Sequence, residues 1–287
     1  MIEAWGKRFN GRLAFRWLAV GCQAATIVVT WRLWQVRSLP PLLPAIPLPS
    51  FDMGALLLLS LAIFLVRPRV GWITHAGLLL YAMLMDQTRI QPQMISLAVL
   101  MLGTIPQKAA QSTARMYLVA LWTWAGLNKL LSPVFIIATG RMMTSILFPF
   151  LPDVILQFSG YAIALTELSI GVMTFVPRTR KVAAVVAFGL HVGILLTLIR
   201  MEWNSSVWAW NVALAFAGFA LVWPWHENSV AMLRANGWIV RLAAAVMLIA
   251  PVGFMWVRSM PICRSTCILR IRRMRTRRFP RISHGRR

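Results

Sequence analysis

Charged side chains are scarce in this sequence. Only 13% of its 287 residues are Asp, Glu, Lys or Arg, and seven of these are acids. A soluble domain of this length needs far more charge at its surface, so a water-soluble globular class is excluded. Cysteine is equally thin: Cys22, Cys263 and Cys267 are too few for a disulfide framework. No small-residue cleavage signal follows the basic segment from Met1 to Arg16, which therefore reads as part of a membrane anchor and not as a removed leader. Internal repeats, low-complexity linkers and a second hydrophilic domain are also lacking.

What is present is apolar. Hydrophobic residues make up 59% of the chain, with 14 Trp and 16 Met, and the mean hydropathy is +0.69. These values predict an all-α polytopic integral membrane helix bundle. Apolar runs separated by turn and charge signals give about nine transmembrane helices, near 13–36, 51–66, 70–85, 93–106, 114–131, 157–176, 182–199, 207–223 and 238–257. The second, third and fourth are short. Residues 38–50 hold five prolines and read as a loop, and 133–155, broken by Pro149 and Pro152, as a segment lying in the interface or dipping into the bilayer.

Basic residues in the short loops set the orientation. The N-terminus, Arg67 with Arg69, Lys108 with Arg115, Arg178 to Lys181, and Arg234 with Arg241 fall on one side if the spans alternate. That side is expected to be cytoplasmic, in a plasma or bacterial inner membrane. The domain so defined covers 1–257. The tail, 258–287, has eleven arginines, no lysine and no acid, and nine spans would put it outside, against the rule. It reads either as a cytoplasmic binder of acidic lipid or nucleic acid, which would need eight or ten spans, or as an out-of-frame or prematurely ended reading of a gene that once continued. The abrupt compositional change favours the second. Because eleven of the 23 net positive charges lie in this tail, the basic balance implies no nucleic-acid partner.

The polar residues inside the spans carry the chemistry. Lys129 ends the fifth span, beside Asn128 and just before the stop Ser132-Pro133; Glu167 lies near the middle of the sixth and His191 near the middle of the seventh. Asp86, Arg89 and Gln93 cluster at the outer end of the third. Asn204, Trp208 and Asn211, spaced four and three apart, predict one helix face at the start of the eighth. Such groups are tolerated in hydrocarbon only when they pair or face a wet interior, and their heights are compatible. One outward-facing polar pocket is expected, with no metal. Simpler readings stand beside it: Lys129 as a snorkelling anchor, an Asp86–Arg89 helix-end pair, His191 as a packing residue, and the Asn204–Asn211 group as interfacial anchors.

The segment Ala125-Gly126-Leu127-Asn128-Lys129-Leu130, followed by an apolar stretch and Gly140, resembles the Ala-Gly-x-x-Lys-Leu segment of the vitamin K-dependent gamma-carboxylase family and its bacterial relatives, the horizontally transferred transmembrane (HTTM) domain proteins. Leu84-Met85-Asp86-Gln87-Thr88 is similar to the family's Asp-containing turn before the fourth span, Glu167 to Arg180 and His191 to its later helix pair, and Asn204 to Asn211 to the opening of the next helix in the bacterial members. The resemblance, in order, thus covers roughly residues 10 to 257.

This resemblance implies a lumen- or periplasm-facing pocket and a reduced, vitamin K-like quinone as cofactor. In the animal carboxylases a hydroquinone is deprotonated and reacts with oxygen, and the strong base so formed removes a proton from a glutamate before carbon dioxide adds. Lys129 matches the position of the amine base, and His191 a family histidine. Desolvation of an ammonium favours its neutral, basic form, which suits that role. Two departures stand out: Gln93 lies where the animal enzymes have a histidine, and an arginine-rich tail follows the last span where they carry a large soluble domain.

The expectation is thus a lipid-embedded, carboxylase-like protein for an amphipathic small molecule, possible chemistry being quinol-linked carboxylation or oxidation. Lys129 would be the base, with Glu167 and His191 tuning or relaying protons. Asp86, Arg89 and Gln93 would shape the mouth, while Asn204, Trp208 and Asn211 would orient substrate. Two other classes remain open. One is a transporter or channel lined by the same groups; the other is a DoxX-like membrane component of a redox complex, to which the Gly-x-x-Lys and Glu-x-x-x-Gly patterns are also similar.

Overall fold

The computed structural model describes residues 11–39 and 41–259, and among them it is all-helical with no strand. Cys263, Cys267 and the tail from Met260 onward lie outside the described residues. The helices are α1 (Gly11–Val29), α2 (Gly54–Val66), α3 (Pro68–Met85), α4 (Pro92–Leu102), α5 (Lys108–Leu130), α6 (Gly140–Leu147), α7 (Asp153–Leu156), α8 (Ser159–Phe175), α9 (Arg180–Arg200), α10 (Trp208–Ala217), α11 (Ser229–Ala235) and α12 (Trp238–Ser259).

Local chemistry sets many of the ends. Proline opens α3 and α4 at the first helical position, where its missing N–H costs nothing. The Asn228 side chain accepts from the amides of Val230 and Ala231 and caps α11. α5 stops at Ser132-Pro133, and the chain continues through a π-helical turn, Phe135–Thr139, into α6 at 90° to α5.

Every expected span coincides with a helix, but the lengths differ. Three stretches are long and apolar enough to cross a membrane: Gly11–Val29, Pro177–Arg200 and Ser205–Val222. The bent pair Lys108–Leu130 with Phe135–Leu147 makes a fourth if taken as one span. The apolar helices at Gly54–Val66, Pro92–Leu102, Ser159–Phe175 and Trp238–Ile249 are shorter. The first span was expected to reach residue 36, yet α1 ends at Val29. There Thr30 turns its hydroxyl back onto the Thr26 carbonyl, and a 3-10 turn, Trp31–Trp34, follows.

Six helices close a ring. α1 packs on α4, α4 on α5, α5 on α8, α8 on α9, α9 on α10, and α10 returns to α1, while the α2–α3 hairpin lies against α1 and α4. Trp122, Leu97, Met94, Ile170, Ala187 and Leu214 fill the interior. The α5–α8 contact is the most extensive, and it depends on two glycines. A Cβ at Gly126 would collide with the backbone of Leu168, and one at Gly171 with the backbone of Thr123. Small residues at a crossing let helix backbones touch. This packing holds for the unit ending at Ala244; the remainder of α12, with Pro251 inside it, belongs to a second unit.

Candidate functional site

The glycine crossing fixes what lies one turn away from it. Lys129 follows Gly126 by three residues, and Glu167 precedes Gly171 by four, so the two side chains meet where the helices are closest. Lys129 Nζ forms a salt bridge with Glu167 Oε2. The Glu167 side chain is 5% exposed and that of Lys129 25%. The ammonium also sits 5.6 Å from the centre of the Phe135 ring, on the π turn beyond the helix break. Two of its three donors and Glu167 Oε1 have no protein partner among the described residues, so both groups keep hydrogen-bonding capacity.

These groups face a cavity of about 290 Å³. Each surrounding helix contributes one stripe. α5 gives Trp122, Ala125 and Lys129; α9 gives His191, Ile194 and Leu198; Val207 and α10 give Trp210, Asn211 and Leu214. Those spacings of three, four and seven are one helix face. Glu167 enters from α8, Met143 from α6, and Asn204 from the loop before α10.

His191 is held from both sides. The Trp122 indole N–H, which can only donate, reaches His191 Nε2 at 2.9 Å. Nε2 is therefore the acceptor, and Nδ1 carries the proton and donates to Asn211 Oδ1 at 3.1 Å. Asn211 Nδ2 in turn donates to the Val207 carbonyl at 3.0 Å, which fixes the amide's orientation. Four residues thus form one directional chain. Neither imidazole nitrogen is left for substrate, so His191 positions the wall and does not relay protons in this arrangement.

Other expected members lie elsewhere. Asp86 and Arg89 do not line the cavity. Asp86 accepts from Arg37 Nη2 at 2.6 Å, Thr88 Oγ1 at 2.9 Å and the Leu43 amide at 3.3 Å. Arg89 donates to the carbonyls of Leu33 and Gln35. The cluster ties the proline-rich loop to the end of α3. Burial opposes the Asp86 charge, but the Thr88 hydroxyl and amide, the Leu43 amide and the Arg37 guanidinium outweigh it and hold the carboxyl below its ordinary range. Gln93 is buried, with Nε2 donating to Gln91 Oε1 and, at 3.4 Å, to Ser206 Oγ.

Asn204, Trp208 and Asn211 do not share a helix face. α10 starts only at Trp208, and Asn204 precedes it in a left-handed conformation, φ 49°, with Oδ1 accepting from Ser206. The face rule applies only inside a continuous helix. The Trp208 indole donates to the Trp203 carbonyl and lies off the cavity, whereas Trp210, which donates to Ser96, takes the wall position. Trp122, Met143 and Trp210 were not anticipated. Extending the Lys129 face back by seven residues finds Trp122; Trp210 is next to Asn211 in sequence but about 100° round the helix from it, and nothing local points to Met143.

In comparisons with protein-family models, curated proteins and solved structures, nothing matches this chain.

Proposed function

We propose that this chain is an integral, carboxylase-like membrane protein whose outward cavity accepts the ring of a reduced quinone or a similar hydroxyl-bearing amphiphile. The observation that carries the reading is the convergence of Lys129, Glu167 and the Trp122–His191–Asn211 chain on one cavity. Membrane placement is supported by the outer faces of the bundle, where Leu59, Val66, Ile73, Leu165, Val172 and Val185 are each at least half exposed. An apolar belt of that extent is unfavourable in water. Nine crossings are counted here, the shorter helices being completed by their flanking turns and by local thinning of the bilayer.

The cavity suits such a head group. Its volume is near the lower end for ligand pockets, enough for one or two fused rings. Leu121, Ile194 and Leu214 are apolar walls, and the polar groups are few, as is usual for small-molecule sites. A bound quinol supplies a hydroxyl that can lose its proton and a ring that oxygen can oxidise. With a carboxylate on its ammonium, Lys129 is the charged partner. Glu167 is then the proton acceptor, and Lys129 Nζ steadies the oxyanion left behind. This refines the expected assignment, in which Lys129 itself was the base.

The test is binding of a chainless naphthoquinol to purified protein in nanodiscs. Wild type is expected to bind saturably, with Kd raised about ten-fold or more by Lys129→Met and Glu167→Gln, as for loss of one charge-assisted hydrogen bond. The pH dependence of binding should vanish in Glu167→Gln. A wild-type protein that shows no saturable binding rules the reading out.

A further inference from the structure

A second cavity, about 210 Å³, lies between α6, α8 and α9. Two of its lining residues, Met143 and Ile194, also line the Lys129–Glu167 cavity, so the two spaces are neighbours separated by those side chains. Their chemistry differs. The second cavity contains no charged residue, and its two hydroxyls are already spent, Thr144 donating to the Gly140 carbonyl and Thr197 to that of Gly193. It reaches the outer surface of the bundle at Gly189 and Phe148, both exposed.

The floor of this groove is made by Gly189 and Gly193, one turn apart on α9. Unlike Gly126 and Gly171, neither is needed for helix contact. A Cβ at Gly189 would meet nothing within 4 Å, and one at Gly193 only Leu147 Cδ1 at 3.8 Å. Glycine inside a helix costs stability relative to alanine. Here two such positions leave a trough where side chains would otherwise stand.

We infer that this trough seats an apolar chain carried by the molecule whose polar head occupies the Lys129–Glu167 cavity, with Met143 and Ile194 as the neck between them. The inference rests on the reading of the polar cavity given above and narrows it: the ligand is a membrane amphiphile with a chain, entering from the lipid side between α6 and α9. An apolar trough that shares a wall with a polar cavity fits one two-part molecule, since a polar head without a chain would leave the trough to be filled by lipid.

The experiment compares a chainless naphthoquinol with the same ring bearing a long alkyl chain, on protein in nanodiscs. The reading is the ratio of wild-type to variant affinity for each probe, so that partition of the chained probe into lipid cancels. Gly189→Leu places a side chain in the trough from a position where its Cβ meets nothing within 4 Å, Gly193→Ala fills it slightly, and Gly77→Leu, an exposed glycine whose Cβ would likewise meet nothing within 4 Å, is the control. Gly189→Leu is expected to weaken the chained probe about ten-fold or more, the worth of two buried methylenes, with a smaller fall for Gly193→Ala. Chainless binding should change less than about two-fold, and Gly77→Leu should change neither probe. If the chainless head binds in a Lys129-dependent way while Gly189→Leu leaves the chained probe untouched, the groove is wrong and the head site stands. If the chained probe responds to Gly189→Leu but not to Lys129→Met, the two cavities do not serve one molecule, and the inference falls together with the head site.

Discussion

The Trp122 indole nitrogen stands 2.9 Å from His191 Nε2, and because an indole can only donate, this one contact decides which face of the imidazole is basic and keeps it occupied. Trp122→Phe should expose that nitrogen. Diethyl pyrocarbonate followed by peptide mapping is expected to modify the exposed His226 in wild type and to leave His75 and His191, both buried, unmodified. The variant should add His191, with a stability loss of about 1 kcal/mol for the missing hydrogen bond. Labelling of His191 in wild type would mean that the indole does not keep Nε2 occupied.

The Lys129–Glu167 pair lies largely out of water, so removing one partner leaves the other uncompensated. Lys129→Met is expected to cost roughly 3 kcal/mol, and adding Glu167→Leu should recover much of it, because two apolar groups replace two charges. Thermal melts of both single variants and the double close the cycle. Additive losses would mean that the pair is not coupled.

At the α5–α8 crossing, added volume meets backbone, which cannot step aside cheaply. Gly126→Ala and Gly171→Ala should each lower stability by about 2 kcal/mol or more. Gly77→Ala, on an open helix face, should instead be neutral or gain up to ~1 kcal/mol from helix propensity. Melting temperatures in one detergent distinguish the two classes.

The Asp86 carboxyl titrates below its ordinary value of 3.8 in the folded chain. Its contribution to stability is therefore complete above that value and is lost as the pH falls through the lowered one. Asp86→Asn should be less stable than wild type near neutral pH, by about 2 kcal/mol for a buried, multiply bonded carboxylate. The difference should shrink below pH 3.8. A constant difference across that range would mean that the charge does not carry the effect.

Hydropathy located the helices because a helix that is apolar on most sides has few other places to be; α1, α5, α9 and α10 all fall on expected spans. That Glu167 would need a cation was legible for a related reason, since a carboxylate placed deep among apolar helices is tolerated only when paired; that the cation is Lys129 was not. Asp86 and Arg89 were assigned to the wrong neighbourhood. The partner of Asp86, Arg37, stands just before a proline-rich loop whose path no periodicity encodes, and Arg89 Nε lies 3.7 Å from Asp86 Oδ2, the helix-end pair of the simpler reading. Asn204 was misjudged because spacing assumes a helix that has already begun. Met143 was invisible: it is an ordinary apolar residue, and its place depends on a right-angle turn whose direction Ser132-Pro133 announces but does not specify.

That turn has a mechanical meaning. α5 and α6, joined through the π turn at 90°, form a bracket that carries Lys129 on its upright and Met143 on its shelf. If the two arms keep their angle, a tilt of the upright about the Gly126 crossing swings the shelf along its normal, so that the charge in the polar cavity and the side chain at the neck change position together. A change in the thickness of the surrounding bilayer that tilts α5 would then be felt at the neck as well as at the charge.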